Sequence, residues 1–378
     1  MYQKKRLKGK MNKKILFFVD TLRSGGMERR FVELLHYLKN KTGYEIQVIV
    51  LSDDIHYDYI YDLGIEVKIL KRILLKKDPS IFFRFLKIVK KFKPDIIHTW
   101  SIMTTIYCIP SKIIFQLPLI ASLISNAKKE FGRWSLKNLF FQICCYYSDI
   151  ILANSYSGLI EYGLNELNGK VIYNGVRLER FHNNFNKTKI LNEIGIKTSV
   201  VVIMVASFLK SKNYDLFLNV AKEFENINKD VAFVAVGDGE KFQSIKYRVQ
   251  NENITNVHLL GKQQNIEELV AVSDIGVLFT YSEGISNSII EYMALGKPVI
   301  TTDSYGGSKE IIKNGKNGYI MDNNLDEIVK KLNELIENKA LQDSLGEEGK
   351  QLIKTKFSLE RMGREFLDIY KYGYKLKG

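Results

Sequence analysis

Short apolar runs alternate with longer stretches in which apolar residues recur at every third or fourth position, and this alternation continues along the chain. The short runs are typical of buried strands, and the longer periodic stretches are typical of amphipathic helices. Alternating strands and helices predict parallel sheets joined by crossover helices, which is an α/β fold. In the first half of the chain the predicted strands are Ile15–Val19, Gln47–Leu51, Glu66–Leu70, Asp95–His98, Leu119–Leu123, Ile150–Ala153 and Lys170–Ile172.

A second series of strands follows, and Asn174-Gly175 is a turn signal between the two series. Two consecutive series predict two doubly wound, Rossmann-like domains, with the boundary between residues 173 and 174. The strands of the second series are Val200–Ala206, Ala232–Val236, His258–Leu260, Ile275–Phe279, Val299–Thr301 and Gly318–Met321. The predicted helices include Met27–Lys39, Ile81–Phe92, Leu325–Asn338 and Leu359–Tyr372.

The composition is that of a globular protein. Hydrophobic residues make up 46% and charged residues 26% of the 378 residues, a length that is sufficient for two domains with separate cores. Cys108, Cys144 and Cys145 form no C-x-x-C pair, which indicates reduced thiols in a cytoplasmic protein. We expect no signal peptide. The weakly charged stretch 96–127 contains two prolines, so it predicts a strand, a helix and a strand instead of a membrane span.

The net charge of +14 is concentrated in the first half of the chain. Residues 1–173 contain 28 Lys/Arg and 15 Asp/Glu, whereas residues 174–378 contain 28 and 27. Segment 71–93 carries nine basic residues and one acidic residue, Asp78, among many apolar ones. A basic helix with an aromatic face predicts contact with an anionic membrane surface. The alternative is an amphipathic core helix with a lysine-rich outer face. Because no nucleic-acid motif accompanies the charge, we expect no nucleic-acid partner.

Two carboxylates eight positions apart, Glu283 and Glu291, frame the most specific motif of the chain. Glu283 lies in a turn after the predicted strand Ile275–Phe279, and Glu291 lies in the helix that follows. Because the free N–H groups of a helix start attract anions, flanking carboxylates would accept hydrogen bonds from hydroxyls beside that anion. A sugar nucleotide carries hydroxyls on both sides of its diphosphate. The alternative is that the two glutamates are a solvated turn residue and a helix-surface residue.

The string Ser-Glu-Gly-x5-Ile-Glu-Tyr-Met-Ala-Leu-Gly-Lys-Pro-Val-Ile, which begins at Ser282, resembles the retaining glycosyltransferases of family four. This resemblance implies the GT-B fold, in which two Rossmann-like domains face each other across a cleft. It implies metal-independent chemistry with no cofactor, and a C-terminal helix, about 357–378, that returns to the N-terminal domain. Other segments that resemble the family are Ser24–Glu28, Val171–Phe181, Lys212-Asn213, Val236–Gly239 and the later Gly306-Gly307 with Glu310–Ile312.

The resemblance also implies a role for each domain. The nucleotide-sugar donor would bind residues 174–356, and the acceptor would bind residues 1–173 with the C-terminal helix. Glu283 would bind donor-sugar hydroxyls, and Lys212 would neutralise the leaving diphosphate. Glu291 would bind the ribose diol, and the N–H groups of Gly284, Ile285 and Ser286 would bind phosphate oxygens. Gly237 and Asp238 would lie near the nucleotide, and Ile266 would lie beside the base.

In the first domain, Gly25-Gly26 follows the first strand and opens a helix. Glycines allow close approach of a ligand, and a helix start supplies N–H donors, so donor contact is predicted here. The alternative is a tight turn without a ligand. Glu28 would cap its helix or face the acceptor.

Two positions depart from the family pattern. The position of a diphosphate-binding Arg falls on Ser207 or Leu209. The nearby Lys210 is a candidate substitute, although an ammonium does not reproduce the forked guanidinium contact. The second departure is a single histidine, His98, where the family often has His-x-His. His98 ends a predicted strand, where crevice residues of open α/β sheets lie, so we predict a catalytic contact with the transferred sugar or the acceptor. A lone histidine is more often structural.

The sequence therefore predicts a cytoplasmic glycosyltransferase, peripheral at the inner face of the cell membrane. It would move a hexose-type sugar to a glycan or lipid-linked acceptor, with retention, in bacterial surface polysaccharide synthesis. Two alternatives remain open: a non-catalytic sugar-nucleotide-binding partner in a glycan-assembly complex, and a GT-B epimerase acting on the sugar nucleotide alone.

Overall fold

The structure is a computed structural model that describes residues 13–372 except 24, 58–59, 74–77, 127–130, 133, 182–184 and 303–305. The chain divides into two compact units. The first contains the described residues up to Val176 and those from Leu359 onward, and the second runs from Arg177 to Ser358. The predicted boundaries, 173/174 and 356/357, lie within a few residues of these positions.

The first unit contains a seven-stranded parallel sheet in the order β3-β2-β1-β4-β5-β6-β7. Strand β1 lies in the interior of the sheet, where Ile15 pairs with Ile46 of β2 on one side and with Ile96 of β4 on the other. Most of its strands are apolar along their length because helices cover both faces. The strands are β1 (Lys14–Val19), β2 (Glu45–Val50), β3 (Glu66–Ile69), β4 (Ile96–Thr99), β5 (Leu119–Ile124), β6 (Ile150–Ala153) and β7 (Gly169–Val171).

Five longer helices cover this sheet. On one face, α1 (Gly26–Lys41) packs beside the C-terminal helix α14 (Leu359–Tyr372) over a core that includes Phe17 and Trp100. The approach of α14 to α1 is close, because a Cβ at Gly363 would lie 2.2 Å from the Tyr37 ring. The opposite face carries α2 (Ser80–Phe92), α3 (Ile102–Phe115) and α4 (Leu136–Tyr147), and the short α5 (Tyr156–Glu161) follows β6.

The second unit repeats this plan with a six-stranded parallel sheet in the order β10-β9-β8-β11-β12-β13. Its strands are β8 (Val200–Val205), β9 (Val231–Val236), β10 (Val257–Gly261), β11 (Ile275–Phe279), β12 (Val299–Thr302) and β13 (Tyr319–Met321). Its helices are α6 (Lys187–Glu193), α7 (Tyr214–Ile227), α8 (Phe242–Asn251), α9 (Ile266–Val272), α10 (Asn287–Ala294), α11 (Ser308–Ile311), α12 (Leu325–Glu337) and α13 (Lys339–Lys356).

The predicted α/β architecture of two doubly wound, Rossmann-like domains is confirmed. Every predicted strand is present, with ends that differ by no more than two residues. The sequence predicted an exposed aromatic face on the basic helix α2. In the structure Ile81, Phe85 and Val89 of this helix are instead buried in the core. Among its described aromatic residues Phe83 is the exposed one. In the described part of the chain, no helix is both long enough and apolar enough to cross a bilayer.

Candidate active site

The carboxyl ends of β8 and β11 bring two distant segments of the second unit together. Backbone hydrogen bonds join the loop after β8 to the turn after β11, from Asn213 N–H to the Phe279 carbonyl at 2.9 Å and from Tyr281 N–H to the Ser211 carbonyl at 2.9 Å. The buried Thr280 hydroxyl also donates to the Ser211 carbonyl at 2.9 Å. Sequence reasoning did not single out Thr280, although its place directly after an apolar strand marks it as a residue at the ligand-binding edge.

This junction brings together Lys212 and Glu283, which are separated by 71 positions and form an ion pair. Their side chains are 10% and 20% exposed. The Lys212 ammonium also lies 3.5 Å from the Thr280 hydroxyl. Partly desolvated charges interact more strongly than exposed ones because water screens them less. The structure thus places a cation and a carboxylate side by side at the edge of the sheet. Their predicted roles, toward a diphosphate and toward sugar hydroxyls, stay predictions.

The turn that carries Gly284 leads directly into α10. Ser286 is the N-cap of this helix, and its side chain accepts a hydrogen bond from Ile289 N–H at 3.5 Å. The start of α10 is fixed to the end of β8, where the Ser288 hydroxyl donates to the Val205 carbonyl at 2.5 Å. The helix start therefore lies at the same edge as Lys212, where its N–H groups offer an anion site.

Gly284 and Ile285 pack closely against Gly307. The Gly307 N–H donates to the Glu283 carbonyl at 3.2 Å, and a Cβ at Gly307 would lie 2.4 Å from the Gly284 oxygen. Only glycine at position 307 fits this approach. Ile285 and Ser286 are buried. The phosphate contacts assigned to the N–H groups of Gly284, Ile285 and Ser286 stay predictions.

Glu291 lies in the second turn of α10 and is only 2% exposed. A buried carboxylate is stable only when hydrogen-bond or charge partners compensate its lost hydration. Its neighbour Tyr292 is also buried, and its hydroxyl accepts a hydrogen bond from Val205 N–H at 2.7 Å. The role predicted for Glu291, binding the ribose diol, stays a prediction and requires the diol to reach an enclosed position.

Gly237 and Asp238 lie beside the loop after β8. Gly237 has φ 146° and Gly239 has φ 153°, and a Cβ at Gly237 would lie 2.0 Å from the Ala206 oxygen. Phe208 N–H donates to the Asp238 carbonyl at 3.0 Å, which ties the two loops together. The Asp238 carboxylate is exposed and accepts from Gly239 N–H at 2.7 Å. These residues therefore shape the same edge of the sheet as Lys212.

The loop after β8 carries no arginine. Ser207 and Leu209 are both exposed, and Lys210 is exposed on the same loop. Ile266, predicted to lie beside the base, begins α9 and is half-buried. It follows β10, whose last residue Gly261 accepts a hydrogen bond from Gly237 N–H at 2.9 Å.

In the first unit, Gly25 is the extended N-cap of α1 and Gly26 is its first residue. The Glu28 carboxylate occupies the space beside this helix start, since a Cβ at Gly25 would lie 2.4 Å from its Oε2. Thr21 donates to the other oxygen at 3.1 Å, and burial raises the pKa of the Glu28 carboxyl. The chain's own carboxylate therefore stands where an anion would bind. Donor contact at Gly25 and Gly26 stays a prediction, and Ser24 lies outside the described residues.

The structure places His98 in the core of the first unit, whereas the sequence predicted a crevice position. The side chain is fully buried, with Nδ1 2.8 Å from the Tyr370 hydroxyl and Nε2 2.9 Å from the Ser122 hydroxyl. Burial, with a smaller contribution from the charge of Arg30, holds the His98 pKa well below its usual range. With both ring nitrogens occupied by protein groups, His98 has the contacts of a structural residue, so our proposal gives it no catalytic role.

Among the described residues, no three His, Cys, Asp or Glu side chains are grouped to hold a metal ion. The expected independence from a metal stays a prediction.

Two protein-family models together match most of the chain. Residues 24–180 match the family described as Glycosyltransferase Family 4, and residues 186–352 match that described as Glycosyl transferases group 1. The chain therefore belongs to the glycosyltransferases that these two models describe.

Two characterised relatives match this glycosyltransferase over nearly its whole length. One is the GalNAc-alpha-(1->4)-GalNAc-alpha-(1->3)-diNAcBac-PP-undecaprenol alpha-1,4-N-acetyl-D-galactosaminyltransferase of Campylobacter jejuni. This chain is 27% identical to it over 375 residues, and the alignment covers 94% of this chain and 98% of that protein. This chain is also 27% identical over 363 residues to the UDP-Gal:alpha-D-GlcNAc-diphosphoundecaprenol alpha-1,3-galactosyltransferase of Escherichia coli, with 91% and 93% covered.

Solved structures share the fold of this glycosyltransferase. HepE of Anabaena, in complex with UDP and glucose, superimposes with a TM-score of 0.83 over 94% of this chain and 98% of that chain, at 17% identity. At this low identity the likeness shows the fold alone, and the predicted GT-B fold is confirmed.

Proposed function

We propose that this glycosyltransferase moves a hexose-type sugar from a nucleotide-sugar donor to a lipid-linked or glycan acceptor, with retention at the anomeric carbon. The observation that carries the proposal is the Lys212–Glu283 ion pair beside the start of α10. This arrangement supplies a cation and helix N–H groups for a diphosphate, and a carboxylate for sugar hydroxyls. The names of both relatives support the acceptor class, since each acts on an undecaprenol-linked diphosphate.

In the proposed reaction, the bond between the anomeric carbon and the diphosphate oxygen breaks, and the acceptor oxygen bonds to the same carbon. The proton of the acceptor hydroxyl passes to the leaving diphosphate. Negative charge grows on the leaving diphosphate, where the Lys212 ammonium and the N–H groups at the start of α10 stabilise it. In the free protein Glu283 balances the charge of Lys212. When the donor binds, the diphosphate takes over that role, and Glu283 is released to accept hydrogen bonds from sugar hydroxyls. No metal or cofactor enters this scheme.

The first test is a panel of sugar nucleotides titrated into the full chain by calorimetry, followed by transfer assays with an undecaprenyl-diphosphate-linked sugar. We expect one UDP- or GDP-hexose to bind and be consumed, and the anomeric proton coupling of the product to match that of the donor. An inverted coupling would contradict retention. If no sugar nucleotide binds at millimolar concentration, the proposal as a whole fails.

A second candidate function is favoured by the exposed Ser207 and Leu209, which leave the loop after β8 without an arginine. In this alternative the chain binds a sugar nucleotide but does not turn it over, as a partner in a glycan-assembly complex. Donor binding without transfer or donor hydrolysis would support it. Product formed without any acceptor would instead identify an epimerase.

We also propose that the enzyme works at the inner face of the cell membrane, with its basic first unit on an anionic lipid surface. The charge difference between the two halves of the chain supports this location, because polybasic surfaces bind anionic bilayers.

A further inference from the structure

The outward face of α4 is apolar. Leu136, Leu139 and Tyr146 are 56%, 54% and 82% exposed, and Ile143 between them is half-buried. Their spacing of three, four and three residues places them in one stripe along the helix. Phe141 lies on the inward side and is fully buried. A surface helix normally presents polar residues to solvent, so α4 has apolar residues on both of its faces.

Exposed apolar residues also lie just before α4 in the sequence, on α3, which packs beside it, and on α2. Trp134, just before α4, is 94% exposed, and Ile113 and Ile114 are exposed at the end of α3. Helix α3 packs against α4 and also against α2, where Phe83 is exposed. We call this surface of α2, α3 and α4 with Trp134 the α2–α4 face. Large exposed apolar patches mark sites of interaction.

The charge of the α2–α4 face is of one sign. The three helices contain no Asp or Glu, but they contain six basic residues, which are Arg84, Lys87, Lys90, Lys91, Lys112 and Lys137. Lys112 pairs with Asp149 outside the helices. The opposite face of the same sheet differs, because α1 and α14 contain several acidic residues and none of the large exposed apolar side chains of the described chain.

We propose that the α2–α4 face docks on an anionic phospholipid bilayer, with Trp134, Leu136, Leu139 and Tyr146 inserted among the headgroups. This inference deepens the proposed function, from which it takes the lipid-linked acceptor. Apolar side chains beside lysines match an interface that is negative outside and apolar beneath. A second copy of the chain is a poor occupant, since it would oppose one basic face to another. The site of contact is thus centred on α4, whereas the sequence had placed it on segment 71–93.

Trp134 provides a direct probe, because the chain contains only two tryptophans and the other, Trp100, is buried. The emission of the wild-type protein minus that of Trp134→Phe isolates the signal of Trp134. We expect a blue shift of this signal with phosphatidylglycerol vesicles, and quenching by lipids brominated near the headgroup. The absence of both effects at low salt would overturn the proposal. A blue shift that depends on protein concentration without vesicles would also overturn it, because it would indicate self-association.

A matched pair of variants tests the stripe itself. The triple variant Leu136→Gln/Leu139→Gln/Tyr146→Gln removes apolar area that is already exposed, so folding should be retained, as circular dichroism would verify. We expect at least about tenfold weaker partitioning onto the vesicles. The control Ile227→Gln/Tyr247→Gln changes exposed apolar residues of the second unit and should partition like the wild type. Equal partitioning of the triple variant and the wild type would contradict the proposal.

Donor binding, measured without vesicles, separates this inference from the proposed function. The triple variant should retain the wild-type donor affinity, since α4 lies outside the second unit. If the wild-type protein transfers the donor sugar but does not bind vesicles, only the proposal of the docking surface is rejected. Vesicle binding without any donor binding would reject the proposed function alone.

Discussion

The two units of this glycosyltransferase share a doubly wound parallel sheet but differ in what they expose. Most of the large apolar side chains exposed in the described chain belong to the first unit, and only Leu209, Ile227, Tyr247 and Tyr281 belong to the second. The excess of basic residues is likewise in the first half of the chain. The same architecture therefore carries a basic, apolar face in one unit and a paired cation and carboxylate at the sheet edge in the other.

The fold thus determines where a site can form, and the side chains determine which of the two units has one. In both units a helix begins after a strand at the carboxyl edge of the sheet, at Gly26 and at Asn287. The first of these helix starts is occupied by the Glu28 carboxylate. The second is capped by Ser286 and lies near Lys212. This difference supports our proposal that the anionic ligand binds at the second unit.

The largest expected effect comes from Lys212, and it tests whether chemistry belongs to the second unit. We expect Lys212→Ala to lower kcat by about 100- to 1000-fold, because one preorganised donor to a developing negative charge is removed. Donor affinity should change much less. The control Lys229→Ala removes an exposed lysine before β9 and should leave both constants unchanged. Steady-state kinetics with calorimetry would measure the two effects, and wild-type kcat in Lys212→Ala would refute the assignment.

The next effect concerns the enclosed carboxylate of Glu291. We expect Glu291→Gln to weaken donor binding by about 10- to 100-fold, since a charged acceptor contributes about 1.5–3 kcal/mol to its hydrogen bonds. The variant keeps the size of the side chain, so the melting temperature should be retained. Calorimetric titration checks the affinity. If the variant loses stability but binds the donor normally, Glu291 is a structural residue of α10.

A smaller effect is expected from the lysines of α2, which test the electrostatic part of the difference between the units. Lys87→Gln/Lys90→Gln/Lys91→Gln should weaken binding to anionic vesicles by about tenfold or more at low salt, since each basic residue near the surface contributes about 1 kcal/mol. Neutral vesicles should show no such change. Co-sedimentation over a salt series measures it, and the variant should be less sensitive to salt than the wild type. Unchanged salt dependence would contradict an electrostatic contribution from α2.

The smallest effect is the pH dependence of stability of the first unit. Because burial lowers the pKa of His98 below its unfolded value of 6.5, the unfolded state binds the extra proton first. Stability from the neutral ring is therefore present above pH 6.5 and falls below it, by up to about 1.4 kcal/mol per pH unit. Urea unfolding between pH 7 and 5 would measure this slope.

Two variants assign that slope. His98→Gln should flatten the slope. Burial also lowers the pKa of His258, which lies in the second unit, so replacing His258 should leave the contribution of the first unit intact. A wild-type slope in His98→Gln would show that other groups are responsible.

The sequence predicted the strands well because most of them, such as β1, β8 and β9, are short apolar runs buried on both faces. The sequence also placed Lys212 and Glu283 at one site, since their motifs follow the carboxyl ends of neighbouring parallel strands. It did not predict the ion pair between them. His98 was misplaced because its ring contacts Tyr370, 272 positions away. The expected return of the C-terminal helix does not tell which of its side chains reaches that ring. The exposed stripe of α4 was missed for a related reason, because periodicity shows that a helix is apolar but not which of its apolar faces is covered.

We propose that the second unit holds the diphosphate of a nucleotide sugar between Lys212 and the start of α10. The most direct measurement is a crystal structure of the full chain with the nucleotide sugar that the panel selects. We expect phosphate oxygens within hydrogen-bond distance of the Lys212 ammonium, and the hexose hydroxyls at Glu283. A bound nucleotide sugar whose diphosphate contacts neither Lys212 nor the residues that open α10 would contradict it.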